Sequence, residues 1–296
     1  MNHTDAPCTI FFHIPKTGGQ TFHNLVSREY RHELILETPG GLLNSLTWQK
    51  FIQGLMRAQP LPRYSAVIGH MKFGVHEFLP GPSRYVTFLR DPVKRFASYY
   101  YMLRGMGLVR ANHRIDLDRP DWNLSGHETL LRDLDNGQTR ALANADWDLP
   151  FGHCTEEHLK TAMANLDRYF SFVGLTEHFD ISLLALKRLY GWRWHFFARK
   201  NITPDWKKCF LAPGVLEAIA GINRFDLQLH AYARERLQAM VRNAGASLRL
   251  ERRVYVTCNA VHQGIHNFCH PLKQKQRRTE SPAFPRVKAN FTRWPC

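Results

Sequence analysis

Short apolar runs alternate with longer stretches of helical periodicity through most of the chain. Residues 9–14 (Thr-Ile-Phe-Phe-His-Ile) form an apolar run of strand length, Pro15-Lys16-Thr17-Gly18-Gly19 reads as a turn, and residues 20–30 fit a helix. Helical or irregular material is expected up to Pro62, broken at Pro39-Gly40-Gly41. Further strands are predicted at 65–69, ending at His70, and at 85–89, ending at Arg90. Asp91-Pro92 then opens a helix that stops near Gly105: aspartate caps exposed N–H groups, and proline is tolerated in a first turn. Residues 106–126 read as a charged loop. Helices follow at 128–134 and 156–167, a strand at 169–173, a strongly periodic helix at 179–190 and another helical region at 213–241. Residues 253–256 (Arg-Val-Tyr-Val) look strand-like and lead into a basic tail whose order the pattern leaves open.

Strands alternating with helices predict an α/β fold, a mostly parallel central sheet covered by helices on both faces in three layers. In such sheets the binding crevice opens at the carboxyl ends of the strands, and it is there that Lys16, His70 and Arg90 fall. The expected division is a main domain over residues 1–245 and a basic C-terminal extension over 246–296.

Composition narrows the chemistry. The 296 residues carry 40 Lys and Arg against 25 Asp and Glu, a formal charge of +15, so an acidic partner is expected. The charge is uneven: residues 251–296 hold nine Lys or Arg and two acids, whereas residues 112–157 hold ten acids and four Arg. A uniformly basic nucleic-acid binder would not need that acidic stretch. No run of 18 apolar residues and no signal-peptide pattern is present, so neither a helical span nor export is expected. Six widely spaced cysteines suit reduced thiols better than a disulfide scaffold. Cys258, His262, His266 and Cys269 could share a helix face with zinc-type ligands, but no C-x2-C pair is present, and surface or packing roles are the expectation.

Two segments carry the most information. Lys16-Thr17-Gly18-Gly19-Gln20-Thr21 places a lysine, two glycines and two hydroxyls at a strand-to-helix junction. Glycines let the backbone approach closely, the first helical N–H groups point outward, and lysine adds a mobile point charge, which together make a phosphate cradle. The order G-x-x-x-x-G-K-[ST] of nucleotide P-loops is absent, as is G-x-G-x-x-G. In Arg90-Asp91-Pro92-Val93-Lys94-Arg95-Phe96-Ala97-Ser98, a strand end again meets a capped helix: Arg90 can fork onto a phosphate, and Ser98 two turns along can reach another oxygen, with Arg95 open to a salt-bridge role. A ligand phosphorylated at both ends would use both segments.

The pair resembles the P-loop-like sulfotransferases that use 3'-phosphoadenosine 5'-phosphosulfate, and is most similar to the uronosyl 2-O-sulfotransferase branch of heparan and dermatan chains with its bacterial relatives. The resemblance covers roughly residues 9–240. It implies that Lys16, Thr17, Gly18, Gly19, Gln20 and Thr21 hold the 5'-phosphosulfate, that Arg90 and Ser98 hold the 3'-phosphate, and that His70 is the catalytic base. Asp135-Asn136-Gly137-Gln138-Thr139-Arg140, residues 172–179, Asn201-Ile202-Thr203 and Asn223-Arg224-Phe225-Asp226 resemble further landmarks of the family. The implied reaction is in-line sulfuryl transfer to a hydroxyl, a carbohydrate being the expected acceptor, with Lys16 meeting charge on the transferring sulfate and the leaving phosphate, and with no metal required. Arg104 and Arg140, with Arg110 and Arg114, are candidate acceptor contacts. The competing expectations are a nucleotide-dependent phosphotransferase and a non-enzymatic binder of nucleic acid or polyanion. Animal members of the branch work in the Golgi lumen, where Asn123, Asn201 and Asn290 could carry glycans; a cytoplasmic bacterial enzyme is the simpler expectation for this chain.

Overall fold

A computed structural model describes residues 7–38, 45–105, 133–145, 149–193, 196 and 213–279, with side chains described up to residue 264 in the last segment. Its core is a five-stranded sheet of β1 (Cys8–Phe12), β2 (Ile35–Glu37), β3 (Ala66–Gly69), β4 (Ser83–Leu89) and β5 (Phe170–Leu175), in the order β2-β3-β1-β4-β5. Every neighbouring pair is parallel. All five residues of β1 are buried, as a central strand covered on both faces requires. Phe11 packs edge-on to Phe22 of α1 (Gly19–Glu29), while Phe12, pointing to the other face, packs edge-on to Phe170. The expected α/β architecture is present, and no helix among the described residues is long and apolar enough to cross a membrane.

The connection after β1 runs toward β2 and β3, whereas the connection after β4 runs toward β5. The sheet therefore reverses its winding between β1 and β4, and the carboxyl ends of those two strands flank its natural crevice. β4 leads into α3 (Pro92–Gly105), where Asp91 Oδ1 accepts the Lys94 N–H at 2.9 Å, the cap expected from the sequence.

Several boundaries differ from the sequence expectation. β2 went unread because it is an edge strand of three residues, too short for a periodic signal. It is followed by α2 (Ser45–Arg57). The expected 128–134 helix lies mostly outside the described residues, and 133–136 form turns leading into α4 (Gly137–Leu142). α5 (Glu156–Tyr169) and α6 (Phe179–Tyr190) match expectation closely. The region at 213–241 is two helices, α7 (Pro213–Ile222) and α8 (Arg224–Asn243). They are parted at Asn223, whose amide donates to Leu134 O and Ile219 O.

The strand expected at 253–256 is instead part of one long helix, α9 (Gly245–Thr279). β-branched composition suggested a strand, but tertiary burial decides otherwise. Leu248 and Tyr255, seven residues apart, share one helical face and are both buried. Glu251 between them pairs with Lys187 and Arg188 of α6 at 3.0 and 2.7 Å, and Arg252 pairs with Asp180 at 2.7 Å. The first turns of the expected extension are thus packed onto α6.

Candidate active site

The cradle grows from the end of the central strand. After β1 the chain turns through Lys16 and Gly18, both left-handed at φ 69° and 86°, and enters α1. Gly18 supplies the conformation without a Cβ penalty, and it stands at the N-cap with no side-chain cap bond. Thr21 and Phe22 donate their N–H groups to Gly18 O at 3.1 and 3.2 Å, so the turn before them presents its amides with no helical acceptor. Thr17 is buried and donates its hydroxyl to Ile14 O at 2.8 Å, bracing the loop from within. Its hydroxyl is therefore a structural strut, while its main chain stays at the cradle. Gln20 is exposed and Thr21 half-buried at the head of α1.

Three cations converge here. Arg90, one residue past β4, donates Nη1 to Lys16 O at 3.0 Å, so the two segments read from the sequence meet directly. Arg95, on α3, is almost fully buried and donates Nε to Pro15 O at 3.0 Å and Nη1 to Asp133 O. With its Nη2 3.5 Å from Asp133 Oδ1, it ties the cradle to the segment before α4 as an internal strut. Burial, and then the neighbouring Arg90 and Arg95, lower the Lys16 pKa; burial lowers that of Arg90 as well. Cations that have lost hydration and face one another gain most from an anion between them. The Nε of Arg90 is buried with no hydrogen-bond partner among the described atoms, a donor awaiting an acceptor. An anion fits this donor set. Ser98 is half-buried on α3, three residues beyond Arg95 and on its side of the helix.

His70 reaches the same crevice from β3. Gly69 has φ 133°, and a Cβ there would overlap the Thr38 hydroxyl, which donates to His70 O at 2.7 Å. This pairing fixes the main chain under the histidine; Thr38, just after the unread β2, left no local signal of it. His70 Nδ1 lies 3.1 Å from His13 O. A carbonyl only accepts, so Nδ1 carries the proton and Nε2 keeps the lone pair. The two imidazoles stack at 4.2 Å, and the His13 ring in turn rests on Gly19, where any Cβ would overlap it. Base candidate and cradle are thus one ring apart. Burial lowers the His70 pKa, against opposing effects of the His13 carbonyl and Asp133, and lowers that of His13 well below its ordinary value. Gly19→Ala should therefore dislodge His13 and cost about 1–3 kcal/mol, the usual penalty of overpacking, read as a lower thermal midpoint without ligand.

The remaining candidates fall elsewhere. Arg140, expected at the acceptor, is buried: its guanidinium pairs with Asp135 and donates to Leu149 O and Pro150 O at 2.8 and 2.7 Å. It staples the turn after α4, and the acceptor role is withdrawn. The side chain of Arg104, and all of Arg110, Arg114, Asn123, Asn201 and Asn290, lie outside the described residues. So do the side chains of His266 and Cys269; of their companions, Cys258 is an exposed free thiol and His262 stacks on Phe196 at 6.0 Å. His76, on the segment after β3, is engaged by the Tyr85 hydroxyl at 2.9 Å.

The model of the galactose-3-O-sulfotransferases matches residues 2–271. The chain belongs to this family. Among relatives, galactose-3-O-sulfotransferase 2 of Sus scrofa is 24% identical over 197 residues, covering 62% of this chain and 48% of that protein. Galactosylceramide sulfotransferase of Mus musculus is 26% identical over 207 residues, covering 62% and 45%. The chain thus spans about half the length of the curated relatives it matches. A crystal structure of a sulfotransferase from Alicyclobacillus acidocaldarius superposes with a TM-score of 0.41 at 14% identity, over 78% of this chain and 97% of that one, too loosely to add to the topology above. The galactose-3-O-sulfotransferase match supports a sulfotransferase family, but lends no support to the uronosyl 2-O branch expected from the sequence.

Proposed function

We propose that this chain transfers a sulfuryl group from 3'-phosphoadenosine 5'-phosphosulfate to a hydroxyl of a galactose-containing glycan or glycolipid. The observation carrying this reading is the direct join of Arg90 to the Lys16 carbonyl, beside a histidine whose tautomer leaves Nε2 as acceptor. Bound in the cradle, the donor supplies an activated sulfuryl group and a phosphate leaving group. The residues would then divide the work. Amides of the Gly18–Gln20 turn and the Lys16 ammonium would meet the 5' end, and the guanidinium of Arg90, with Ser98, the 3'-phosphate. His70 Nε2 would take the proton of the acceptor hydroxyl, a role that requires the neutral imidazole its burial favours. Lys16 would meet negative charge as it moves onto the leaving oxygen.

The galactose acceptor is argued from the family match, since both relatives named above are galactose or galactosylceramide sulfotransferases by name. Labelled-sulfate transfer to a panel of galactosides, galactosylceramide and uronic-acid-bearing glycans tests it. Label on galactose acceptors, dependent on the sulfate donor and not replaced by ATP, is the expected result. Transfer confined to uronosyl acceptors would overturn the acceptor assignment, and phosphate transfer from ATP would overturn the reaction.

A further inference from the structure

One buried side chain outside the cradle grips the main chain of Arg90, and a second holds the first in place. Gln138 of α4 is fully buried; its Oε1 accepts the Arg90 N–H at 2.8 Å and its Nε2 donates to Arg90 O at 2.8 Å. Residue 90 lies just past the end of β4, so the amide replaces the ladder bonds a strand neighbour would have made. Asp226 of α8, also fully buried, decides which way that amide faces. Its Oδ2 accepts from Gln138 Nε2 at 3.3 Å and from the Gln138 N–H at 3.1 Å, and its Oδ1 accepts the Thr139 N–H at 2.7 Å. A flipped amide would set Oε1 against the carboxylate and the Arg90 carbonyl, three acceptors with no proton between them. Asn136 Oδ1 accepts the Asp226 N–H at 3.1 Å and holds the start of α8 in place.

Resting on the donor reading above, we propose that Gln138, oriented by Asp226, is a positioning residue that aims Arg90 at the 3'-phosphate, making it a specificity determinant for nucleotides that carry one. Arg90 spends one guanidinium donor on the Lys16 carbonyl and keeps a buried, unpartnered Nε. Forked recognition of a phosphate tolerates little displacement. With both main-chain bonds removed, residue 90 would relax and the fork would lose its aim, while the cradle itself, held by Thr17 and Arg95, would keep its shape.

The test compares binding of adenosine 3',5'-bisphosphate and adenosine 5'-phosphate by calorimetry to the wild-type chain, Gln138→Leu and Asp226→Asn. The wild-type chain should prefer the bisphosphate by roughly 10- to 100-fold, the worth of a charge-assisted hydrogen-bonded contact. In Gln138→Leu that preference should collapse toward one while the affinity for adenosine 5'-phosphate persists. Asp226→Asn, which keeps the main-chain clamp but loosens its orientation, should show a partial loss. A preference retained in Gln138→Leu, or an equal fall for both nucleotides, would overturn the positioning role, as would loss of folding in both variants by circular dichroism. Absence of any preference in the wild-type chain would instead overturn the assignment of Arg90 to the 3'-phosphate, and the donor reading with it.

Discussion

Lys16→Ala should lower turnover by about 10²–10³-fold, close to 3 kcal/mol of barrier, with a smaller change in the donor KM. The ammonium sits on a loop whose carbonyls at residues 15 and 16 are each held by an arginine, so its anchorage is rigid. Burial and the two neighbouring guanidiniums lower its pKa, the mark of a cation short of counter-charge. Charge moving onto a leaving oxygen would be met more strongly than the same charge at rest, so the loss belongs in kcat. Lys16→Arg should recover only part of the rate, because a planar fork is not a point charge. Steady-state kinetics with the donor varied decide the matter: turnover within a few-fold of the wild-type chain would remove Lys16 from the chemistry.

His70→Ala should reduce transfer by about 10²–10⁴-fold, the usual worth of a general base, while nucleotide affinity stays near that of the wild-type chain. The pH profile supplies a second, independent reading. Burial lowers the His70 pKa below the ordinary 6.5, so the ring is neutral at and above neutrality and protonated only as pH falls through the lowered value. Wild-type activity should therefore be level around neutrality and decline on the acid side, and the residual activity of His70→Ala should lack that decline. Persistence of the same acid limb in the variant would point to another titrating group. His13, stacked at 4.2 Å, is the neighbour to test next.

What could be read in the sequence was whatever a segment does locally. A left-handed turn needs Gly18, a helix start favours Asp91-Pro92, and a buried central strand needs an unbroken apolar run such as that of β1. Those signals found the cradle, the Arg90 segment and most of the sheet. Partnerships between distant segments leave no such trace. Arg140 looks like a free cation in sequence and is instead tied to carbonyls nine and ten residues on. Arg95 is open to a salt-bridge role in the sequence, and its link to Pro15 O crosses 80 residues. Gln138 sat in a recognised segment, but its hold on residue 90 depends on α8 arriving beside it. The strand expected at 253–256 was lost for the same reason: the burial of Tyr255 against the domain, invisible locally, outweighs β propensity.

The wholly parallel sheet has a consequence for biosynthesis. Among the described residues it contains no hairpin, and β1 pairs with strands that begin at residues 66 and 83. Such long-range closures come late in folding. The signature loop is thus made well before the helix that carries Asp226, whose bonds to Gln138 complete the hold on Arg90. A prematurely terminated chain would display the motif and lack the grip.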